Sequence, residues 1–294
     1  MATRMATPST QACYPLRAKA ACHILQAYAG SRGHVFLYRV LRHSLRIPQH
    51  MVIDLDVQSS LKIHCDLDEY MQWWLYSYGL KAEPDFEVMR RILRAKDRFV
   101  DVGANVGIFS LLASVAVRGE GVVYAIEALP CNQELLERNI ALNKLRNIRT
   151  VPVALADQDG ELNLFPSTNG NLGMTSLSAS GEKGTPLRVA ARTLDSLMED
   201  GTISGCDVLK IDIEGAEPLA LRGMRKLFAE HPPRAVLIEV SESLLANFGA
   251  KPSDILNFFS RYGYSWHRAT TQGLEPLNDL NVRGHNNLWA LLAT

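Results

Sequence analysis

The strongest constraint on the fold is an alternation of uninterrupted apolar segments with amphipathic ones, which begins at Phe99. Runs rich in Val, Ile and Leu are typical of strands buried on both faces, and the segments between them have the apolar spacing of helices. This alternation predicts a parallel sheet with helices on both faces. The predicted strands are FVDVGA, GVVYAIEA, IRTVPVAL, DVLKIDIE and RAVLIEV, and the tail adds YSWHRAT and NNLWALLA.

A polar segment interrupts this alternation, and a separate extension precedes it. Residues 160–194 are rich in Gly, Ser and Thr and contain only short apolar stretches. We therefore predict a β-rich insertion between the third and fourth strands, because long insertions in compact domains are usually lids or binding loops. Residues 1–67 have the patterns of helices followed by a hairpin. We expect an N-terminal extension there and a core domain over residues 68–294.

Composition excludes several classes of protein. Lys and Arg together number 31, as do Asp and Glu, whereas nucleic-acid binders usually have a basic excess, so we expect no nucleic-acid partner. No apolar run reaches the roughly 18 residues of a spanning helix, so we expect no transmembrane segment. The five cysteines are scattered and form no CxxC pair. This usage is typical of reduced thiols and predicts a cytoplasmic protein.

Positive charge is concentrated at the start of the chain. Residues 1–53 contain no Asp or Glu. They contain seven basic residues, namely Arg4, Arg17, Lys19, Arg32, Arg39, Arg42 and Arg46. Such a segment is compatible with organelle targeting or with contact to an anionic membrane surface, although it lacks the apolar core of a secretory signal. We favour a helical extension with a solvated basic face.

The first predicted strand ends in a glycine-containing turn, DVGANVG, that opens the first helix. Ligands of open parallel sheets bind at the carboxyl ends of the strands, so this turn predicts a cofactor site. Gly103 and Gly107 allow the backbone to approach a ligand, and Glu127 ends the second strand, where it could accept hydrogen bonds from a ribose. Asn105 stands where a dinucleotide loop has its second glycine, and its side chain would crowd a pyrophosphate. This favours S-adenosylmethionine and disfavours an NAD-linked oxidoreductase, the main alternative.

Longer motifs surround that turn, namely FVDVGANVGIFSLLAS, AIEALPCNQELLERNIALN, GMTSL, RTLDSL and LKIDIEGAEPLALRGM. From about residue 68 to the C-terminus, the chain resembles the FkbM family of S-adenosylmethionine-dependent methyltransferases. The resemblance implies a Rossmann-like class I methyltransferase sheet of seven strands, the last antiparallel. It also implies methyl transfer to a hydroxyl oxygen of a sugar, glycan or other small molecule, with nitrogen and carboxylate oxygen left open as acceptor atoms. A non-catalytic module of the same fold is the remaining alternative, disfavoured by the intact motifs.

The resemblance also implies binding residues, position by position. For the cofactor these are Asp101, Gly103, Ala104, Asn105 and Gly107 at its methionine part, Glu127 and Ala128 at its ribose, and Leu155 and Asp157 at its adenine. The segment DQDG around Asp157 is also typical of an ordinary turn. Thr175 and Ser176 of GMTSL would approach the acceptor, with ordinary turn chemistry as the alternative.

The fourth predicted strand ends in a cluster of charges. Lys210, Asp212 and Glu214 alternate in sequence, so a strand would place all three on one face. An alcohol needs a base to remove its proton, and we predict Asp212 in that role, supported by Lys210 and Glu214. The alternative is a structural ion pair of Lys210 with a carboxylate at the sheet end. Asp212 together with Glu239 is also a candidate Mg²⁺ site, because hard cations prefer carboxylate oxygens.

Overall fold

The computed structural model describes residues 15–28, 33–56, 59–80, 83–165, 177 and 185–293. The chain divides into two compact units, Met1–Gly79 and Leu80–Thr294. The domain boundary predicted between residues 67 and 68 stays a prediction. No helix in the described ranges has both the length and the apolar character needed to cross a membrane.

The first unit contains helices and then a hairpin, in the order that the sequence predicts, and a further helix that it does not predict. Its elements are α1 (Leu16–Ala27), α2 (His34–Ser44), β1 (His50–Asp56), β2 (Leu61–Asp66) and α3 (Tyr70–Tyr78). The two strands pair antiparallel, with Ile53 opposite Ile63, which confirms the predicted hairpin. Helix α2 is anchored by its buried residues: the His34 ring lies 3.2 Å from the Leu25 carbonyl of α1, and the Tyr38 hydroxyl donates to the Leu67 carbonyl.

The second unit is built around one large sheet. Its helices are α4 (Pro84–Ile92), α5 (Ile108–Ala116), α6 (Pro130–Leu142), α7 (Leu194–Glu199), α8 (Glu217–Arg222), α9 (Arg225–Glu230), α10 (Glu242–Ala246) and α11 (Pro252–Ser260). Its strands are β3 (Arg98–Val102), β4 (Val122–Ile126), β5 (Ile148–Val151), β6 (Ala154–Leu155), β7 (Gly160–Leu164), β8 (Leu187–Arg192), β9 (Val208–Ile211), β10 (Ala235–Ser241), β11 (Tyr264–Thr270), β12 (Gly273–Pro276) and β13 (His285–Leu292).

The large sheet has the strand order β12-β11-β13-β10-β9-β3-β4-β5. Strands β5, β4, β3, β9 and β10 are parallel, and β13 pairs antiparallel with β10 and with β11. Every residue of β9 and β10 is buried, as expected for strands covered on both faces. This confirms the predicted class I methyltransferase fold with its antiparallel last strand. The short edge strand β12 adds an eighth strand to the seven expected, because Thr270 pairs with Gly273 in a tight hairpin.

Two elements that the sequence presents as continuous are divided. The predicted third strand IRTVPVAL becomes β5 and β6, because Pro152 has no N–H for a ladder and Val153 instead donates to the Val151 carbonyl. Strand β6 then joins the described part of the insertion in a small sheet of order β6-β8-β7. The predicted helix after β9 becomes α8 and α9 at Gly223, where a Cβ atom would lie 2.1 Å from the Ala156 carbonyl oxygen.

Candidate functional site

The turn after β3 is shaped by its contacts with neighbouring strands. The amides of Gly103 and Ala104 both donate to the Ile126 carbonyl of β4, at 3.0 Å. Gly103 has φ +75°, and a Cβ atom there would lie 1.9 Å from the Asp212 carbonyl oxygen. Gly103 is therefore required by the close approach of the segment after β9. At Gly107, with φ +95°, a Cβ atom would lie 2.5 Å from Leu136 Cδ1, so this glycine allows α5 to pack on α6.

Asn105 and Glu127 together close this turn. Asn105 adopts φ +51°, a left-handed conformation that asparagine tolerates better than most residues. Its amide donates to Glu127 Oε2 at 2.8 Å, and the Leu129 amide donates to Glu127 Oε1 at 2.8 Å. Burial raises the pKa of Glu127, and the hydrogen bonds from these amides oppose the shift. Glu127 thus holds the β3 turn against the segment that follows β4.

A buried ion pair lies directly beneath the turn. Asp101 of β3 and Lys210 of β9 are register partners, and Lys210 Nζ lies 3.2 Å from Asp101 Oδ1. Lys210 Nζ also donates to the Gly103 carbonyl at 3.1 Å, and the Ser110 hydroxyl donates to Asp101 Oδ2 at 2.6 Å. Asp101 is 0% exposed, so its carboxylate supports the turn from behind. The sequence analysis predicted direct contact of Asp101 with a cofactor and did not single out Ser110.

Lys210 connects this pair to Asp212. Its Nζ lies 3.5 Å from Asp212 Oδ2. Burial alone lowers the pKa of Lys210, but the Asp101 and Asp212 carboxylates outweigh burial, so the pKa is raised and the ammonium stays charged. The alternative in which Lys210 pairs with a carboxylate is therefore observed. Asp212 itself is partly exposed at the carboxyl end of β9, where a ligand could reach it.

The predicted placement of Lys210, Asp212 and Glu214 on one strand face is wrong for Glu214. Strand β9 ends at Ile211, and the chain turns immediately afterwards, with Glu214 at φ +57°. Residue alternation across a sheet does not extend through such a turn. Gly215 allows the turn to form, because a Cβ atom there would lie 2.5 Å from the Leu244 carbonyl oxygen.

Two buried acids, Glu217 and Glu239, adjoin Asp212; the sequence analysis did not single out Glu217 and considered Glu239 only as a Mg²⁺ ligand. Glu217 Oε1 accepts hydrogen bonds from the amides of Ile213, at 3.0 Å, and Gly215, at 3.2 Å, so it fixes the turn after Asp212. Ile238 of β10 is the last residue to pair with β9, opposite Ile211, so Glu239 lies within β10 at the level where Asp212 follows the end of β9. The sequence feature that could have identified Glu217 is its position at the start of a short helix, four residues after Ile213.

The pKa values of both acids are raised. Burial raises the pKa of Glu217 to about 7. Burial, with the nearby Asp212, Glu217 and Glu214 carboxylates, raises the pKa of Glu239 to about 11. Within the described part of the chain, Glu217 Oε2 and Glu239 Oε2 have no hydrogen-bond partner. The other oxygen of Glu239 lies 3.2 Å from Nδ1 of the exposed His285.

Helix α4 and the residue before it contribute two further acids, Asp85 and Glu83, to the same region. The Trp289 indole donates to Asp85 Oδ1 at 2.7 Å. Burial raises the pKa of Asp85, and it raises the pKa of Glu83 to about 7, with the Asp85 carboxylate as a further cause. The charge of Asp212 contributes to both shifts. Asp212 therefore lies among carboxyl groups that favour protonation.

The structure does not support the predicted Mg²⁺ site. The described residues contain no group of three side chains arranged to hold a metal ion. Burial and the neighbouring carboxylates raise the pKa of Glu239, one of the two candidate ligands, and a raised pKa disfavours the charged form that binds a cation. The other candidate, Asp212, already contacts the Lys210 ammonium.

The remaining predicted residues lie apart from this cluster or outside the described residues. Leu155 is buried in the hydrophobic core. Asp157 is exposed and pairs with Arg222, with 3.2 Å between Oδ2 and Nε, in agreement with the ordinary-turn alternative. Ala128 packs beside a small cluster around Leu129. Thr175 and Ser176 lie outside the described residues.

Comparison with known proteins identifies a family for this chain. Two curated relatives match part of it: Methyltransferase sdnD of Sordaria araneosa, 29% identical over 42% of this chain and 59% of the relative, and Methyltransferase 1 of Beauveria bassiana, 26% identical over 42% and 57%. The chain thus spans less than three fifths of the length of these relatives.

Solved structures that match this chain include Methyltransferase FkbM from Methylobacillus flagellatus, with a TM-score of 0.41, 17% identity and coverage of 93% of this chain and 59% of that one. Another is TYW2 from M. jannaschii in complex with AdoMet, with a TM-score of 0.43, 16% identity and coverage of 82% and 85%. The profile of the Methyltransferase FkbM domain matches residues 101–266, which is more than half of the chain and includes the β3 turn and the β9 cluster. The chain belongs to the FkbM methyltransferase family.

Proposed function

We propose that this chain transfers a methyl group from S-adenosylmethionine to a hydroxyl oxygen of a sugar or another small-molecule acceptor. The observation that carries this proposal is the continuous arrangement at the carboxyl ends of β3, β4 and β9. A glycine turn closed by Glu127 lies beside a partly exposed Asp212, and the buried Lys210 contacts both Asp212 and the turn. The glycine turn with Glu127 can thus hold a nucleoside cofactor, and Asp212 can act as a base.

The residues present fit S-adenosylmethionine. A carboxylate has about four acceptor positions, and backbone amides occupy one on each oxygen of Glu127. Glu127 therefore retains capacity for a ribose hydroxyl. The turn residues Gly103, Ala104, Asn105 and Gly107 would hold the methionine part, with Asp101 and Lys210 fixing the turn from below. Ala128 would lie by the ribose, and Leu155 and Asp157 would border the adenine.

The bound cofactor would supply an electrophilic methyl group on a sulfonium. The chain's own residues handle the proton. An acceptor hydroxyl becomes nucleophilic when a base takes its proton, and Asp212 is the carboxylate that is exposed enough to reach it. The Lys210 ammonium, 3.5 Å away, orients the Asp212 carboxylate. Glu217 supports Asp212 by fixing the following turn, and Glu214 lies within that turn.

The acceptor side of the proposal rests on the family resemblance. Thr175 and Ser176 remain proposed acceptor contacts. The neighbouring acids Glu217 and Glu239 are buried, so Asp212 is the carboxylate offered to an incoming hydroxyl. This arrangement suits an acceptor with a neutral hydroxyl group, which would give its proton to Asp212.

The test has a binding arm and a transfer arm. Calorimetric titration should show that the wild-type chain binds S-adenosylmethionine, and that Glu127→Ala weakens this binding by about tenfold or more, because a hydrogen bond to a charged group is lost. Incubation with tritiated S-adenosylmethionine and fractionated metabolite and glycan extracts should label a small molecule. Binding of NAD(H) in place of S-adenosylmethionine would contradict the proposal in favour of the oxidoreductase. Cofactor binding without any labelled product in those fractions would favour the non-catalytic module.

A further inference from the structure

The first unit exposes apolar side chains to an unusual extent. Of the nine large apolar side chains exposed among the described residues, six lie on or next to α1 and α2. They are Leu16, Ile24, Tyr28, Val35, Phe36 and Val40. Single exposed apolar residues are normal on protein surfaces, but their concentration in one short segment marks a site of interaction.

The exposed side chains of α2 occupy one face of the helix, and that face also carries positive charge. At 100° per residue, Val35, Arg39, His43, Phe36 and Val40 fall within an arc of about 140°. All five are exposed, whereas His34 and Tyr38 on the opposite side are buried. Phe36 is 72% exposed, and the anchoring of His34 and Tyr38 prevents α2 from rotating to cover it.

Helix α1 repeats this arrangement. Leu16, Ala20, Ile24 and Tyr28 follow one another at four-residue spacing and are all exposed, with Arg17 on the same arc. The buried residues Ala18, Ala21, Cys22 and Leu25 face the opposite way. Helices α1 and α2 thus both combine an apolar stripe with exposed arginine.

The charge of this segment decides between possible partners. Residues 1–53 contain seven Lys and Arg and no Asp or Glu. Lys19 and Arg42 are engaged by Asp54 and Asp68, at 3.2 Å and 2.6 Å, but Arg17 and Arg39 lie exposed on the apolar arcs. Two copies of this face would bring like charges together, which disfavours self-association. Apolar side chains interleaved with basic ones match an anionic lipid surface, into which the helix inserts its apolar face while its bases meet the headgroups.

We propose that the exposed faces of α1 and α2 dock this protein on an anionic membrane surface. The helices lie in the plane of the interface, with Phe36 and Ile24 inserted among the acyl chains and Arg17 and Arg39 at the headgroups. This inference is independent of the proposed methyl transfer.

Vesicle co-sedimentation of the full chain tests it. The wild-type chain should sediment with vesicles of phosphatidylcholine and phosphatidylserine but not with phosphatidylcholine alone, and raised salt should weaken its binding. Phe36→Glu and, separately, Val40→Glu should each weaken binding by about tenfold or more, because each places an acid on the docking face. Leu280→Glu is the matched control: Leu280 is 48% exposed but lies in the second unit, and its variant should bind as the wild type does.

Several results would overturn the proposal. One is that the wild-type chain does not bind anionic vesicles, or binds neutral vesicles equally well. Another is wild-type binding by both Phe36→Glu and Val40→Glu, with unchanged far-UV circular dichroism confirming that they are folded. A third is that the wild-type chain does not bind vesicles and instead forms a concentration-dependent oligomer, detected by light scattering, that is absent in Phe36→Glu. That result would assign the face to a second copy of the chain.

Discussion

The two ends of the central strands β3, β9 and β10 differ in whether their charged side chains are paired. At the amino end, Arg98 and Asp207 form a bidentate pair, with Nε to Oδ2 at 2.8 Å and Nη2 to Oδ1 at 2.9 Å. Arg234 forms a second such pair with Asp97 and also donates to the Ile92 carbonyl. A cavity of about 710 Å³ opens here and is lined by Arg98 and Arg234, but their guanidinium groups are already bound to acids. The amino end is arranged for stability.

At the carboxyl end, acids outnumber bases. Asp212 contacts Lys210, which is the one Lys or Arg buried among the described residues. Glu217 and Glu239 adjoin Asp212, and one oxygen of each lacks a hydrogen-bond partner in the described chain. Buried carboxyl groups without cations are unfavourable when charged, so their pKa values rise. Structural regions rarely retain such groups, whereas active sites often do. The comparison therefore supports the proposed site at the carboxyl end, where charge is left uncompensated.

The largest expected effect is the loss of methyl transfer when a carboxylate at the carboxyl end is removed. Asp212→Asn should lower the rate constant of methyl transfer by about two to four orders of magnitude, because a general base contributes that much. The affinity for S-adenosylmethionine should change little, since Asp212 does not belong to the turn that would hold the cofactor. Single-turnover transfer and calorimetric titration measure the two quantities. Glu230→Gln, which removes an exposed acid from α9, should keep normal turnover; near-normal turnover of Asp212→Asn would remove this residue from the mechanism.

The same comparison shows what the sequence could predict. The parallel sheet follows from apolar runs, and the turn at Gly103 follows from its glycines, because both signals are local. The buried pair of Asp101 with Lys210 links residues more than a hundred positions apart, and only the register of β3 against β9 brings them together. Likewise, the unpartnered oxygen of Glu239 depends on burial by several elements. Glu214 was misplaced because period-two alternation does not indicate where a strand ends.

A second prediction concerns the glycine turn at the carboxyl end. Gly103→Ala should lower the free energy of unfolding by about 3 kcal/mol, because its Cβ atom meets the Asp212 carbonyl oxygen in a left-handed conformation. Gly201 has nearly the same φ, +78°, but no atom within 4 Å of a Cβ atom. Gly201→Ala should therefore cost only about 1 kcal/mol. Urea unfolding measures both values, and equal losses would show that the contact with Asp212 does not constrain the turn.

A third prediction tests the amino end. Asp207→Ala should lower the free energy of unfolding by about 2 kcal/mol, because it removes the partner of Arg98 and leaves that guanidinium partly buried. Glu199→Ala breaks the exposed pair with Lys226 and should cost about 0.5 kcal/mol or less. Thermal unfolding compares the two variants, and methyl transfer should be normal in both. Loss of activity in Asp207→Ala at a temperature where it is folded would contradict the assignment of this end to stability.

The last prediction concerns how the stability contributed by the two ends responds to pH. The Arg98 hydrogen bonds lower the pKa of Asp207, so its contribution to stability is present above its unfolded value and lost as the pH falls. Glu239 behaves in the opposite way, because its pKa is raised to about 11. Its contribution is complete below the ordinary glutamate value and is lost as the pH rises toward 11. Between pH 5 and pH 7, this one group should lower the free energy of unfolding by about 2 kcal/mol.

Glu239→Gln isolates this contribution, since an amide has nearly the same shape and does not titrate. Urea unfolding at several pH values should show that the variant gains about 2 kcal/mol relative to the wild type as the pH rises from 5 to 7. The pH-dependent change in the free energy of unfolding should be smaller for Glu230→Gln, because Glu230 is exposed. Identical pH slopes for wild type and Glu239→Gln would mean that Glu239 is charged when folded. A charged Glu239 would need a cation beside it, and the carboxyl end would then resemble the compensated amino end.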